Sequence, residues 1–164
     1  VSYLPKGIVI PADEDAPVFE MNFNSLADYQ HVVGGNIEAI DLDAMNASFF
    51  ANEESKLIGL QLNRRATLMW WLASPQMRHR DSIGGDVCLI GLPDDEGETQ
   101  DAPSELIALL LDTKSYKAEY QTVDDSDAFN GNAMTYIDYW EAVNAALVKF
   151  DRWAAVERAR VVPA

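Results

Sequence analysis

Gly34-Gly35-Asn36-Ile37-Glu38-Ala39-Ile40-Asp41-Leu42 and Gly84-Gly85-Asp86-Val87-Cys88-Leu89-Ile90-Gly91-Leu92 share one pattern: a diglycine, a polar residue, then a run of mostly apolar residues. Glycine takes a positive φ without steric cost, and a polar residue followed by branched side chains is how a chain enters a half-buried strand. Each stretch therefore predicts a turn feeding a strand, and together they locate a core. Neither diglycine extends to G-x-G-x-x-G or a Walker loop, so no nucleotide site is predicted.

Upstream, Gly7 to Ile10 predicts a short strand that Pro11 ends by removing the next ladder donor. Val18 to Phe23 alternates Val18, Glu20 and Asn22 with Phe19, Met21 and Phe23, the period of a second strand, paired with the first in a hairpin or meander. Ser25 is placed to cap a short helix over Asn24 to Gln30. Between the diglycine strands, Phe49-Phe50-Ala51 leads into the polar tetrad Asn52-Glu53-Glu54-Ser55. Lys56-Leu57-Ile58-Gly59-Leu60 then reads as the returning arm of a hairpin. Asn63 is positioned to cap a helix from Arg64 to about Ala73, where Leu68, Met69, Trp71 and Leu72 are crowded enough to bury most of the circumference.

Downstream, Leu92 to Pro103 collects five acids with Gly97 and two prolines, the composition of a solvated loop. Ser104 can cap a short helix from Glu105 to Leu111, Thr113 to Val123 fits a strand or loop, and the polar run Asp124 to Asn132 reads as a linker. Ile137, Trp140, Val143, Leu147, Phe150 and Ala154 step by three and four, predicting a helix from Ala133 to Arg160, a rod of about 40 Å. Its early Asp138 and Glu141 and late Arg152, Arg158 and Arg160 follow the order a helix dipole favours. The expected fold is α+β: a small antiparallel or mixed sheet, a helix between the diglycine strands and a long amphipathic C-terminal helix. A single domain over 1–164 is expected, with a sheet-containing core (1–92), an acidic loop, short helix and linker (93–132), and the C-terminal helix (133–160).

With 164 residues, 48% of them apolar, such a chain can bury a core without disulfides or a structural metal. The single cysteine, Cys88, lies inside an apolar strand and reads as a buried small side chain in a reducing compartment. Net charge is −15, from 27 acidic against 12 basic residues, which disfavours direct binding to nucleic acid or to an anionic membrane. No apolar run approaches a membrane span and no signal-peptide pattern opens the chain, so a cytoplasmic protein is expected.

Chemistry has little to stand on. His31 and His79 are far apart in sequence and in no ligand spacing, so no metal or other cofactor is assigned. The clusters Asp94-Asp95-Glu96-Gly97-Glu98 and Asp124-Asp125-Ser126-Asp127 lack the register of a calcium loop. No serine sits in a G-x-S-x-G elbow, and Glu38 and Asp41 have no sequence signal that they converge. No catalytic residue is assigned. Arg64, Arg65, Arg78 and Arg80, the basic groups of an acidic chain, either engage a carboxylate or phosphate of a partner or form ion pairs within the fold. Trp140, Phe150 and Trp153 either anchor the core or face a partner, since aromatics are enriched at hot spots. These seven are the candidate partner-binding residues.

Four pieces, Val33-Gly34-Gly35-Asn36-Ile37-Glu38, Asn52-Glu53-Glu54-Ser55-Lys56-Leu57, Gly59-Leu60-Gln61-Leu62-Asn63 with Ala66, and Gly84-Gly85-Asp86-Val87, follow one another over Val33 to Leu92. In this order they resemble a small domain of unknown function from proteins encoded by bacteriophages, plasmids and other mobile elements of bacteria. The resemblance implies a source, acting in a bacterial cytoplasm, and carries no catalytic residues. The expected function is a non-catalytic accessory protein that binds and modulates a host bacterial protein. A DNA mimic that occupies a restriction or other DNA-binding enzyme is the alternative. A small enzyme would instead bring Glu38, Asp41, His79 or Cys88 together in a pocket. A seam stepping by three and four also fits a homodimer through the C-terminal helix.

Overall fold

Strands β1 (Lys6–Ile10), β2 (Phe19–Asn22), β3 (Ile37–Leu42), β4 (Ala47–Asn52) and β5 (Val87–Gly91) build a five-stranded sheet in the order β2-β1-β5-β4-β3, antiparallel throughout. Both diglycine runs feed strands of this sheet. They do so differently: Gly34 (φ 77°) is the left-handed cap of helix α1 (Leu26–Val33), whereas in the second pair Gly85 (φ 79°) takes the positive angle. The computed structural model describes residues 4–164, so the first three positions of the expected 1–92 core lie outside the described residues.

The sheet is apolar on both faces, which is why β1, β4 and β5 read as near-continuous hydrophobic runs. One face carries Val9, Cys88 and Ile90 against Phe23 and the α1 residues Tyr29 and Val33. The other carries Ile8, Ile10, Phe49, Val87 and Leu89 against α2 (Arg64–Ala73), whose Ala66, Met69, Trp70 and Ala73 face it. The opposite side of α2 is also covered. Leu68 and Leu72 join a second core with α4 (Tyr139–Arg152) and a three-stranded antiparallel sheet of β6 (Tyr116–Thr122), β7 (Asp125–Gly131) and β8 (Val156–Pro163), ordered β7-β6-β8. Helix α3 (Ser104–Leu111) places Leu106 in the first core, and its Leu109 and Leu110 pack against both. A layer of helices thus serves two sheets, and the all-round apolar character of α2 follows from its place between them.

The α+β class, the antiparallel sheet and the helix between the diglycine strands are as expected, and α2 has the expected bounds with Asn63 as its cap. Several elements differ. β4 pairs with β3 on one side and β5 on the other, so Lys56–Leu60 is not a returning strand; it lies in turns. The presumed linker Asp124 to Asn132 contains β7, a mostly exposed edge strand that has no buried face to impose an apolar alternation. Ser25 stands at the α1 cap position without a side-chain bond, while Asp28 accepts from the Asn24 amide at 2.6 Å. Pro103, not Ser104, is the cap of α3.

The largest difference is at the C-terminus. The helix expected over 133–160 begins only after Asp138, whose carboxylate accepts from the Glu141 amide at 3.2 Å, and it ends at Arg152, making a rod of about 21 Å. Ile137 precedes it and Ala154 follows it, so their places in the seam were coincidences of spacing. From Val156 the chain is strand. Val156, Ala159 and Val161 are buried with Tyr116, Ala118 and Tyr120 in the core beneath α4, and a register shift opposite Thr122 breaks the alternation that would have marked the strand.

Candidate interaction surface

The basic and aromatic residues singled out above are largely consumed by the fold. Arg64 pairs with Glu14 at 3.1 Å on the surface. Arg65 is 6% exposed, and its Nη2 donates to the carbonyls of Pro11 (2.7 Å), Asp13 (3.1 Å) and Ala16 (2.9 Å). It latches the β1–β2 loop onto α2 and is not presented to a partner. Burial lowers its pKa, against the opposing pull of Glu14, Asp13, Asp138 and Asp86.

At the other end of α2, roughly 15 Å away, Arg78 donates from Nε to Asp151 at 2.6 Å and lies over the Phe150 ring. His79 (φ 64°) brings Nε2 to within 2.9 Å of the same carboxylate, with its ring 4.9 Å from that of Trp71. Burial opposes ionisation of Asp151, but the hydrogen bonds from His79 and Arg78 prevail and hold its carboxyl below the usual value. Trp140 is half-buried, edge-on to Tyr139 at 4.8 Å, and packs against both cores. Trp153 caps α4 and remains 43% exposed, with the Lys149 ammonium 5.4 Å above its ring. Arg80 is exposed, with no ion pair among the described residues. Of the seven candidates the structure brings together Arg78 and Phe150, which it uses on each other, and Arg64, Arg65 and Trp140, which line one cleft.

The groups named for chemistry do not meet. Glu38 and Asp41 are three residues apart on edge strand β3, so their side chains point to opposite faces. Cys88 is fully buried in β5, where burial, helped by Asp86, pushes its pKa up to about 12. Among the described residues no group of His, Cys, Asp and Glu could hold a metal ion, and no helix is long and apolar enough to cross a membrane. A cleft of about 620 Å³ opens between the β1–β2 loop and the N-termini of α2 and α4. Its charges compensate one another: Arg64 and Arg65 on one wall, Glu14, Asp138 and Glu141 around them.

A different segment stands out, the connection 53–62 from β4 to α2. Its ends are held by buried asparagines. Asn52 donates from Nδ2 to the Val33 carbonyl at 3.1 Å and accepts from the Glu54 amide at 2.8 Å. Asn63 donates to the carbonyls of Ile10 and Gly85, both at 2.9 Å, and its Oδ1 accepts from Ala66. Between them the amide of Ile58 donates to Glu54 and that of Leu60 to Ser55, Gly59 supplies a positive φ of 68°, and Leu62 bridges to Gly84. The backbone is tied down by these hydrogen bonds, yet it holds apolar side chains in water: Leu57 is 87% exposed, Ile58 54% and Leu62 54%. Acids lie beside two of them: Glu38, Glu53, Glu54 and Asp81 with Leu57, Asp81 pairing with Lys56, and Asp13, Glu14 and Asp15 with Leu62. Sequence reasoning missed this surface because Leu57-Ile58 was read as half of a hairpin; the available signal was the lack of any alternation in Lys56–Leu60.

Residues 5–116 match the family described as a domain of unknown function (DUF3846). The match covers more than half of the chain, which therefore belongs to that family. It takes in the five-stranded sheet and α1 to α3 and ends at the first residue of β6, leaving α4 and nearly all of the second sheet outside. No curated protein and no solved structure matches the chain.

Proposed function

We propose that this DUF3846 chain is an accessory protein of a bacteriophage or other mobile element that binds a host bacterial protein and alters its activity, without chemistry of its own. One observation carries the binding: a loop anchored at both ends by buried asparagines exposes Leu57, Ile58 and Leu62, with carboxylates beside Leu57 and Leu62. Apolar side chains on a backbone tied down in this way have no role in the core, and burying each in a partner is worth about 1.5–3 kcal/mol. These acids fit a protein whose apolar pocket is edged by lysine or arginine, and they disfavour an anionic membrane. The mobile-element source rests on the resemblance of the Val33–Leu92 motifs.

The DNA-mimic reading draws on the net charge of −15. It calls for carboxylates in rows across one face. Ten of the 27 acids cluster instead in three separate segments, Asp13 to Asp15 after β1, Asp94 to Glu98 after β5, and Asp124 to Asp127 at the β6–β7 turn and the start of β7.

The test is a pull-down from bacterial lysate at low and high salt with the wild type and a Leu57→Ser/Ile58→Ser double variant, its fold verified by circular dichroism. Capture of a defined protein that survives high salt and is lost in the double variant is the expected result. Capture that salt abolishes and the variant retains favours mimicry. No specific capture, or turnover of a small molecule by the pure protein, overturns the proposal.

A further inference from the structure

Strand β8 is an edge of the smaller sheet, and its register determines which main-chain groups are left over. On the other side of β6, Tyr116 exchanges N–H and C=O with Tyr136, both at 2.8 Å, so the bonds of Tyr116 point away from β8. In an antiparallel ladder the direction alternates. Lys117, Glu119 and Gln121 therefore bond toward β8, opposite Val162, Arg160 and Arg158, and the Ala164 amide donates to Ser115 at 2.9 Å in the same phase. The amides and carbonyls of Ala159 and Val161 are turned outward. No strand among the described residues pairs with that edge.

What the edge faces is a groove of about 610 Å³. Five consecutive residues, Ala159 to Pro163, form one wall, α3 forms the other through Leu106, Ala108 and Leu109 with the single carboxylate of Glu105 at its first turn, and Met45 and Leu72 line it between them. An unpaired strand edge alongside an apolar helix wall is complementary to one shape, an extended chain that adds main-chain hydrogen bonds on one side and inserts alternate side chains on the other. The α3 wall also decides against a second copy pairing β8 to β8. A sheet would bring its own β6 and α4 behind the entering strand, whereas a gap bounded by a helix accepts a single strand spaced about 4.8 Å from β8. Charge adds a further constraint. The guanidinium of Arg160 is held by Glu119 and lies over the Phe129 ring, away from the free edge, whereas Arg158, exposed, makes no ion pair among the described residues, an uncompensated cation beside this edge on a chain of net charge −15.

We propose that the groove between β8 and α3 binds an extended segment of a partner protein as a fourth strand of the small sheet, apolar at alternate positions and acidic at the flank beside Arg158. This rests on the protein-binding reading, but no residue of the 53–62 loop lines the groove, so the two surfaces can fail separately.

The experiment selects binders from a displayed library of short random peptides and measures the synthetic peptides by fluorescence anisotropy. Expected are sequences with alternating apolar residues and an acidic flank, whose binding slows hydrogen exchange at the Ala159 and Val161 amides. Ala159→Pro removes an outward donor without touching the ladder to β6 and should weaken binding about tenfold. Ala108→Glu, at an exposed helix position, should weaken it comparably by placing charge in the apolar wall, and it decides the matter if the proline variant does not fold. Leu57→Ser/Ile58→Ser should bind these peptides like the wild type, whatever its fate in the lysate experiment. An absence of selected peptides, or equal binding by wild type and Ala108→Glu, overturns the proposal.

Discussion

The guanidinium carbon of Arg78 stands 4.1 Å from the centre of the Phe150 ring, joining the turn after α2 to the last part of α4. Its Nε also donates to the neighbouring Asp151, so one side chain from the family-matched part holds two consecutive residues of the C-terminal extension. A residue that looked available to a partner, in an acidic chain short of cations, is instead a fastening between the two halves of the molecule.

Arg78→Ala should destabilise the protein by about 1–2 kcal/mol, the combined scale of a partly buried charge-assisted hydrogen bond and a cation–π contact. Urea unfolding of Arg78→Ala, Phe150→Ala and the double variant separates the two contributions. A coupling of about 0.5–1 kcal/mol between the positions is expected; strict additivity would show that the ring contact contributes nothing.

Asp151 gives this fastening a pH dependence of defined sign. Although burial works against its charge, hydrogen bonds from His79 and Arg78 depress its folded pKa below the unfolded value near 4. The stabilisation is therefore present above about pH 4 and is lost as pH falls through the folded value. Asp151→Asn should be less stable than the wild type at neutral pH, and the difference should shrink in more acidic buffer. A gap that stays constant from neutral pH down to acid unfolding contradicts the assignment.

Cys88 titrates in the opposite direction. Burial raises its pKa to about 12, so the thiol favours the folded state below its unfolded value near 8.5 and this contribution fades as pH rises toward the folded value. At pH 8 the folded protein should be inert to a thiol-reactive disulfide reagent, and the same protein in denaturant should react at once. Prompt labelling of the native protein would place the thiol at the surface.

What could be read from residue order was what local chemistry determines. Asn63 before Arg64-Arg65-Ala66 marked a helix start because a side-chain acceptor three residues ahead of an amide is sufficient cause. Gly7 to Ile10 read as a strand because its residues are apolar and Pro11 follows. The C-terminal strand was hidden because Val143, Leu147 and Phe150 set a helical period into which Ala154 happens to fall. β7 was hidden because an exposed edge strand of Asp, Ser and Asn resembles a linker. The exposed loop was misread for a third reason: Leu57 and Ile58 are apolar without being buried, and periodicity arguments assume that apolar side chains serve the core.

Asn63 performs two tasks that substitution can separate. Its Oδ1 caps α2 through the Ala66 amide at 2.9 Å, and its Nδ2 joins the carbonyls of Ile10 and Gly85, which end β1 and precede β5. Asn63→Ala loses the cap, worth about 1 kcal/mol, and strands two buried carbonyls at about 1–3 kcal/mol more, for a total of about 3 kcal/mol by urea unfolding. Asn63→Asp keeps the acceptor and loses both donations while burying a charge. If capping were the whole contribution the aspartate would be tolerated, whereas a role in tying α2 to β1 and β5 makes it at least as damaging as alanine at neutral pH. The aspartate variant should also recover stability as its carboxyl protonates in acid, since the neutral acid regains one donor for one carbonyl. Equal stability of Asn63→Asp and the wild type at neutral pH would reduce this residue to a helix cap.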